Sequence, residues 1–285
     1  LPLHYRQYIT FEPNAGLRMT YWHVEPDDAA EFEGDQSQFR DLYDIGAVLA
    51  TDLNRVYHLR TAWAERVQHV IIPELVYAYI PDEDQSRYPN FDQVDRIPAQ
   101  NRMTLSITQL LTARKSDARG RSPGQHLYNQ FCRLYLEQSY DFDDREDPDQ
   151  AWAPLFAEFD LAPTRRLSLH TDAEWGYSAN RLLSSNLSCR IQTPRNDRVR
   201  LEYRYTSGFN QSIFTRLQTP VTAGLTCYLE HERNLASGSD IEFGFGTRYE
   251  TQCWALDLIY RDEQTDQSIS AMLELSGIGQ IGSGL

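Results

Sequence analysis

Between Val199 and Tyr205 the chain alternates strictly. Val199, Leu201, Tyr203 and Tyr205 fall on one side, and Arg200, Glu202 and Arg204 on the other. Successive side chains of a β-strand point to opposite faces, so this pattern predicts a strand with one apolar and one charged face. The period recurs. Leu167, Leu169, Ala173, Trp175 and Tyr177 oppose Ser168, His170, Asp172 and Glu174, and Ile241, Phe243, Phe245 and Tyr249 oppose Glu242, Gly244, Gly246 and Arg248. Trp254, Leu256, Leu258 and Tyr260 oppose Cys253, Ala255 and Asp257, and Ile269, Ala271, Leu273 and Leu275 oppose Ser270, Met272 and Glu274. Helical spacing is nowhere as good, so an all-β chain is expected. The expected strands are 3–10, 16–24, 41–58, 65–79, 101–114, 127–141, 152–161, 165–177, 182–193, 197–206, 210–218, 222–231, 239–249, 251–260 and 267–276. Many exceed the five or six residues usual in globular sheets and approach the roughly 9–11 that a tilted strand needs to cross a bilayer.

Counted back from the C-terminal end, alternate connections form two sets. Segments 25–40, 80–100, 142–151, 207–209, 232–238 and 261–266 are the longer set, rich in acid at Asp27, Asp28, Asp82, Glu83, Asp84, Asp143, Asp144 and Glu146. Segments 11–15, 59–64, 162–164, 194–196, 219–221 and the junction near Glu250 are tight, apart from the polar stretch 115–126. Long connections at one end and short turns at the other is the asymmetry of an antiparallel transmembrane β-barrel. A soluble sandwich or propeller also alternates and remains the competing architecture. Rings near strand ends, at Trp175, Tyr177, Trp254 and Tyr260, suit a barrel, because amphipathic aromatics settle at headgroup depth. The charged face would then line a wet lumen.

Composition narrows the chemistry. Seventeen Tyr, twelve Phe and five Trp favour sheet over helix bundle. A net charge of −14 argues against nucleic acid as a partner. Of the 27 basic residues all but Lys115 are Arg. No run of eighteen apolar residues predicts a transmembrane helix, which leaves a barrel untouched. The chain starts at Leu1 with no initiator Met or signal peptide, so a processed chain or a fragment is expected. Cys132, Cys189, Cys227 and Cys253 are far apart without a CxxC pair, so a zinc site is not expected. The seven His are scattered, and no HExxH, GxSxG or Walker loop occurs. Hence no catalytic residue, cofactor or metal is expected. The run Asp141, Asp143, Asp144, Glu146, Asp147, Asp149 has oxygen ligands but not the order of an EF-hand, and reads as a solvated loop.

Four segments carry a family resemblance. Residues 70–81, Val-Ile-Ile-Pro-Glu-Leu-Val-Tyr-Ala-Tyr-Ile-Pro, lead to Asp84-Gln85, Pro89-Asn90-Phe91-Asp92 and Asn101-Arg102. Further on come Asn186-Leu187-Ser188-Cys189, then Tyr249-Glu250-Thr251-Gln252-Cys253-Trp254, then Glu274-Leu275-Ser276-Gly277-Ile278-Gly279. In order and spacing these resemble the C-terminal barrel of the LptD family of lipopolysaccharide-assembly (organic solvent tolerance) proteins. One departure stands out: the family's adjacent cysteine pair is represented by Gln252-Cys253. In relatives that pair is disulfide-bonded to the N-terminal region; Cys253, placed on the expected luminal face, reads either as bonded to a partner outside this chain or as a small unpaired residue in a strand.

The resemblance implies an N-terminal periplasmic jelly roll and a barrel of about 26 strands. Residues 1–285 would be the C-terminal portion of that barrel, without the jelly roll and first strands, and 267–276 would be the closing strand. The implied function is transport and assembly of lipopolysaccharide at the cell outer membrane, without bond chemistry. Sugars would pass the wet lumen while acyl chains leave sideways between first and last strands. Ile269, Ala271, Leu273, Leu275 and Gly277 would form one lip of that gate, weakened by Gly277, Gly279, Gly282 and Gly284; residues 280–285 also read as a flexible tail. Arg133, Arg190, Arg200, Arg204 and Arg248 are candidates for sugar phosphates and carboxylates, or for pairing with luminal Glu and Asp. Implied partners are lipopolysaccharide, an LptE-like lipoprotein plug, the periplasmic Lpt bridge through the missing N-terminal domain, and the membrane. A stand-alone porin-like channel and a secreted β-rich carbohydrate-binding module are the alternatives.

Overall fold

Alternation becomes strand almost wherever it occurs. The computed structural model describes residues 2–6, 8–24, 35–59, 61, 63–89, 91–92, 95–116, 126–277 and 279–284, and these form one seventeen-stranded sheet. Asp27, Asp28, Asn90 and Ile278 lie outside the described residues. The first strands are β1 (Leu3–Tyr5), β2 (Ile9–His23), β3 (Ser37–Thr51), β4 (Leu53–His58), β5 (Arg66–Ile80), β6 (Gln100–Ser116) and β7 (His126–Asp141). A single helical turn, α1 (Pro148–Ala151), leads to β8 (Leu155–Thr164), β9 (Leu167–Gly176), β10 (Arg181–Gln192), β11 (Arg198–Thr206) and β12 (Asn210–Pro220). The last are β13 (Leu225–Asn234), β14 (Asp240–Glu250), β15 (Trp254–Glu263), β16 (Gln267–Leu275) and β17 (Gly279–Gly284).

Strands pair antiparallel in sequence order. The exception is the arm made of β3 and β4, both of which lie on β5 with a break at Asp52. No register couples β17 to β1 or β2 among the described residues.

Two expectations at the ends are corrected. Segment 11–15 is not a turn: β2 runs straight through it, and the chain reverses before it, where the Tyr8 N–H donates to the Tyr5 carbonyl at 3.3 Å. Pro13, Asn14 and Gly16 look like turn formers. Beyond Phe11, however, β2 has a described ladder only toward β3, an edge setting that tolerates proline, and Gly16 leaves the space that the Asp44 carboxylate fills. Nor is 267–276 the last strand. Gly277, at φ 82°, turns the chain so that β17 pairs back on β16 from Leu275–Gly279 to Ser270–Gly284.

The register sorts every strand into the same two faces. One face carries Leu17, Leu49, Leu105, Leu187, Leu201, Leu217 and Leu258, all well exposed although apolar, with Leu17 73% exposed. Only an apolar surrounding accounts for such a band. Rings flank it. At one end Tyr77, Phe142, Tyr140, Trp152 and Tyr177 form a chain with centroids 4.9–6.4 Å apart, and at the other Tyr249 meets Trp254 at 5.6 Å. The ten residues of β9, at about 3.3 Å each and tilted about 45°, span roughly 23 Å, close to the ~25 Å apolar band of a transmembrane barrel wall.

The end bearing 81–99 and 142–154 is hereafter the loop end, and that bearing 165–166, 193–197 and 251–253 the turn end. Strand length divides the sheet. β2, β3, β5, β6 and β7 have 15–17 residues, whereas β8–β16 have 9–12.

Candidate functional site: the polar face

Charged residues at alternate positions of neighbouring strands necessarily meet when the strands pair. On β7–β9, Arg133 bridges Glu158 and Asp160, and Asp160 accepts from His170 Nδ1–H at 2.7 Å. Glu158, Asp160 and His170 bring ligand-type atoms within 4.8 Å of one another. The Arg133 guanidinium already supplies the positive charge there, so this triad is a filled ion-pair network rather than a metal cradle. On β11–β13, Glu202 takes both Arg200 and Arg204, and Arg204 also reaches Glu232 at 3.3 Å. Arg216 holds Glu230 at 2.6 Å. On β14–β16, Arg248 donates to Glu274 at 2.7 Å and lies 3.8 Å from Asp257, while Arg261 pairs with Glu242 at 3.1 Å. Single pairs of this exposure contribute little; the network holds the face polar and wet.

Of the five arginines singled out in the sequence, four are therefore ion-paired. Arg190 differs. It has no ion pair among the described residues, and its register partner across the ladder is Arg200.

Two features of this face were not read from the sequence. The first is a lock between strands: the Tyr228 ring lies flat across Gly246, where any Cβ would overlap Cζ. Its hydroxyl donates to Asp257 at 2.6 Å and the Arg216 guanidinium sits 4.6 Å over the ring. The second is the inward fold of 81–99. Tyr88 stacks on Trp22 at 5.3 Å. The Arg40 side chain, on a residue only 2% exposed, donates to Gln85 Oε1, to the Asp95 carbonyl and to Thr20 Oγ1 at 2.9, 2.7 and 3.2 Å. Gln85 also grips the main chain of Ile97, and Pro89 is fully buried. Gln85 and Pro89, quoted above as pieces of the resemblance, thus help to pin this loop, while Asp84 receives the nearby Ser86 N–H. The Asp95 carboxylate receives the Asp92 and Phe91 N–H groups, which holds its pKa below the usual range.

Cys253 is not on the luminal face. β15 begins one residue later, so Cys253 is an exposed free thiol in the turn 251–253. Cys132, Cys189 and Cys227 fall on the apolar side, half-buried and free. Ile269, Ala271, Leu273 and Leu275 line the apolar face of β16, which pairs with β15 on one side and β17 on the other; Gly277 sits in the turn that follows. The acidic run starts at Asp141, the last residue of β7, and passes through a turn into α1, with Asp143 accepting from Asn101 at 2.8 Å.

The family model for LPS transport system D, LptD, matches residues 1–226. The LPS-assembly protein LptD of Nitrosococcus oceani is 22% identical, covering 95% of this chain and 39% of that protein. That of Pseudoalteromonas translucida is 26% identical over 65% of this chain and 27% of its own length, and that of Hahella chejuensis 22% identical over 74% and 30%. The chain thus spans about a third of the length of the curated relatives it matches. A triple mutant of the Rhodopseudomonas blastica porin aligns with a TM-score of 0.40 and 8% identity over 96% of this chain and 93% of that chain. With 226 of its 285 residues matched, the chain belongs to the LptD family.

Proposed function

We propose that this chain is the C-terminal portion of an outer-membrane barrel that delivers lipopolysaccharide to the outer leaflet by transport, without bond chemistry. The family match over 1–226 carries the reading, and the two-faced sheet supports it. Lipopolysaccharide joins apolar chains to phosphorylated sugar. A polar face of paired Arg, Glu and Asp offers the sugar a hydrated path, and the apolar face meets lipid. The jelly roll and first strands would belong to the rest of the protein, with the periplasmic Lpt bridge docking there and an LptE-like lipoprotein occupying the lumen.

In this reading β17 is one lip of a lateral gate. Gly279, Gly282 and Gly284 make up half of its six residues, glycine weakens a strand, and Gly277 gives it a hinge. β16, with Ile269, Ala271, Leu273 and Leu275 toward lipid, forms the fixed wall behind. Cys253, exposed at the turn end, is positioned for a disulfide with a periplasmic partner.

The test is conditional depletion of the full-length protein in its own host, reading newly made lipopolysaccharide at the cell surface. Surface lipopolysaccharide is expected to fall while outer-membrane phospholipid persists. Unchanged surface lipopolysaccharide, together with porin-type conductance of the purified protein in planar bilayers, would overturn the reading in favour of a channel.

A further inference from the structure

At the turn end of the polar face, β9–β12 enclose a recess of about 380 Å³. Six arginines line it: Arg165, Arg166, Arg190, Arg198, Arg200 and Arg216. Three of them stand in one row, because Arg190 lies directly opposite Arg200, and Arg200 directly opposite Arg216, on adjacent strands. Like charges in directly opposed positions repel, and an antiparallel sheet normally places acid or a neutral residue there.

This chain has acid to spare, 41 Asp and Glu against 27 Lys and Arg. Yet among the described residues only Glu202 and Glu230 reach the group, holding Arg200 and Arg216. Arg165, Arg166, Arg190 and Arg198 have no ion pair among the described residues. Their neighbours in the recess are the neutral hydrogen-bonding groups Ser168, Gln192 and Gln218. On the same face Arg133, Arg204 and Arg248 each have a carboxylate, so these four stand apart from their ion-paired neighbours.

Like charges also stand opposed at Arg66–Arg114 and along Glu232–Glu242–Glu263, but here the opposed row borders a recess that six arginines line, and a local rule broken at a concave site points to function. Guanidinium forks match phosphate oxygens in bidentate geometry, and a dianion set among them would turn mutual repulsion into attraction. We propose that this recess is a binding site for a phosphate monoester. The phosphate could be borne by a glycolipid headgroup or be free in solution, and both share the chemistry recognised here. The glycolipid source rests on the transport reading above: the turn end would face the periplasm, so the recess would be an early station for a phosphorylated sugar arriving from that side.

The test uses the full-length protein purified in detergent, as wild type, Arg190→Gln/Arg198→Gln and Arg190→Lys/Arg198→Lys. Neither arginine makes an ion pair among the described residues, so the substitutions break none of those seen there. The probes are a bisphosphorylated disaccharide lipid, the same lipid with its phosphates removed, and inorganic phosphate. The phosphorylated lipid should bind at least about tenfold more tightly than its dephosphorylated form, and the Gln variant should lose about tenfold, with the Lys variant between. Because repulsion is relieved, the Gln variant should melt no lower than wild type, a sign that structural arginines would reverse. Inorganic phosphate binding as tightly as the lipid assigns the site to the free anion; much weaker phosphate binding assigns it to the headgroup. Unchanged lipid affinity in the Gln variant, or a lowered melting temperature, overturns the proposal. The depletion experiment fails or succeeds independently of these affinities, and a Gln variant that loses binding but still delivers lipopolysaccharide separates the site from transport.

Discussion

On β2 and β3 the polar face is covered by chain: Trp22 and Arg40 receive the inward fold of 81–99 through Tyr88, Gln85 and the Asp95 carbonyl. On β10–β16 it is covered by charge, in ladders such as Arg204–Glu232, Arg216–Glu230 and Arg248–Glu274. The difference follows from the connections. The first region has nineteen loop-end residues, 81–99, free to fold back, whereas 207–209, 235–239 and 264–266 are too short to reach their own strands' faces. Where no loop can screen the wall, side chains must satisfy one another across the ladder. The wall thereby stays open to water, and the arginine row at its turn end stays open to an anion.

The comparison presupposes that both regions share one apolar outer face, and the largest predicted effect tests that. Leu201 lies near the middle of the nine-residue β11, too far from either end for a charge to reach water. Leu201→Arg should destabilise the protein in vesicles by roughly 2–4 kcal/mol, read as a fall in the urea concentration at half-unfolding. Ser188→Arg, opposite Glu202 on the polar face, should be close to neutral. Equal effects of the two would dissolve the assignment of faces.

Next comes the loop-covered region. Arg40→Ala removes three donated hydrogen bonds, two of which hold the loop, and the ring contact with Trp22 at 4.9 Å. A charged hydrogen bond contributes about 1.5–3 kcal/mol, so 81–99 should open and become cleavable by protease within the intact barrel. Cleavage at 207–209 should not change. If both sites respond alike, the loop is no separate unit.

In the charge-covered region the matching lock is Tyr228 on Gly246. Gly246→Ala should cost about 1–3 kcal/mol by overpacking, since the ring is fixed by Asp257 and Arg216 and cannot swing away. Gly244→Ala, one pleat along the same strand, meets nothing closer than 3.5 Å and should be nearly silent. Melting temperatures of the two variants decide the point.

How much of this was legible follows from what a single strand can encode. Period-two alternation is a property of one segment, so β11 at Arg198–Thr206 and β14 at Asp240–Glu250 lie within a residue of the expected 197–206 and 239–249. The failures came where composition and neighbours disagree. Pro13 and Gly16 read as a turn until β3 is seen alongside, and the glycines of β17 read as a tail until β16 is. Arg133, Arg190, Arg200, Arg204 and Arg248 could be assigned to the polar face by parity. Which of them keeps a carboxylate depends on stagger between strands, a relation no single strand carries. For the same reason the sequence singled out Arg200 and Arg190 but not their opposition, and Gly246 but not the ring that needs it.

Acid gives the smallest effect and sharpens the contrast between the regions. Asp95 Oδ2 accepts the N–H of Phe91 at 2.6 Å and of Asp92 at 3.0 Å, so its carboxyl titrates below its ordinary value near 3.9. A depressed folded-state pKa contributes stability that is fully present above the unfolded value and is lost as pH falls through the folded one. Protection of 81–99 from protease should therefore be flat from neutral pH down to about 5, then decline below about 4. Asp95→Asn, whose single carbonyl oxygen carries no charge, should start from weaker protection and show no such decline. Asp197, held low in the turn 193–197 by the Thr219 and Thr193 hydroxyls, should respond in the same direction. It closes a five-residue turn between paired strands, so its protonation should leave the β10–β11 ladder protected against amide exchange. Acid would then release the covering of one region while the wall of the other stands. Exchange spreading from 193–197 into β10 at the same pH would show instead that the charge ladders, like the loop, depend on their carboxylates as a unit.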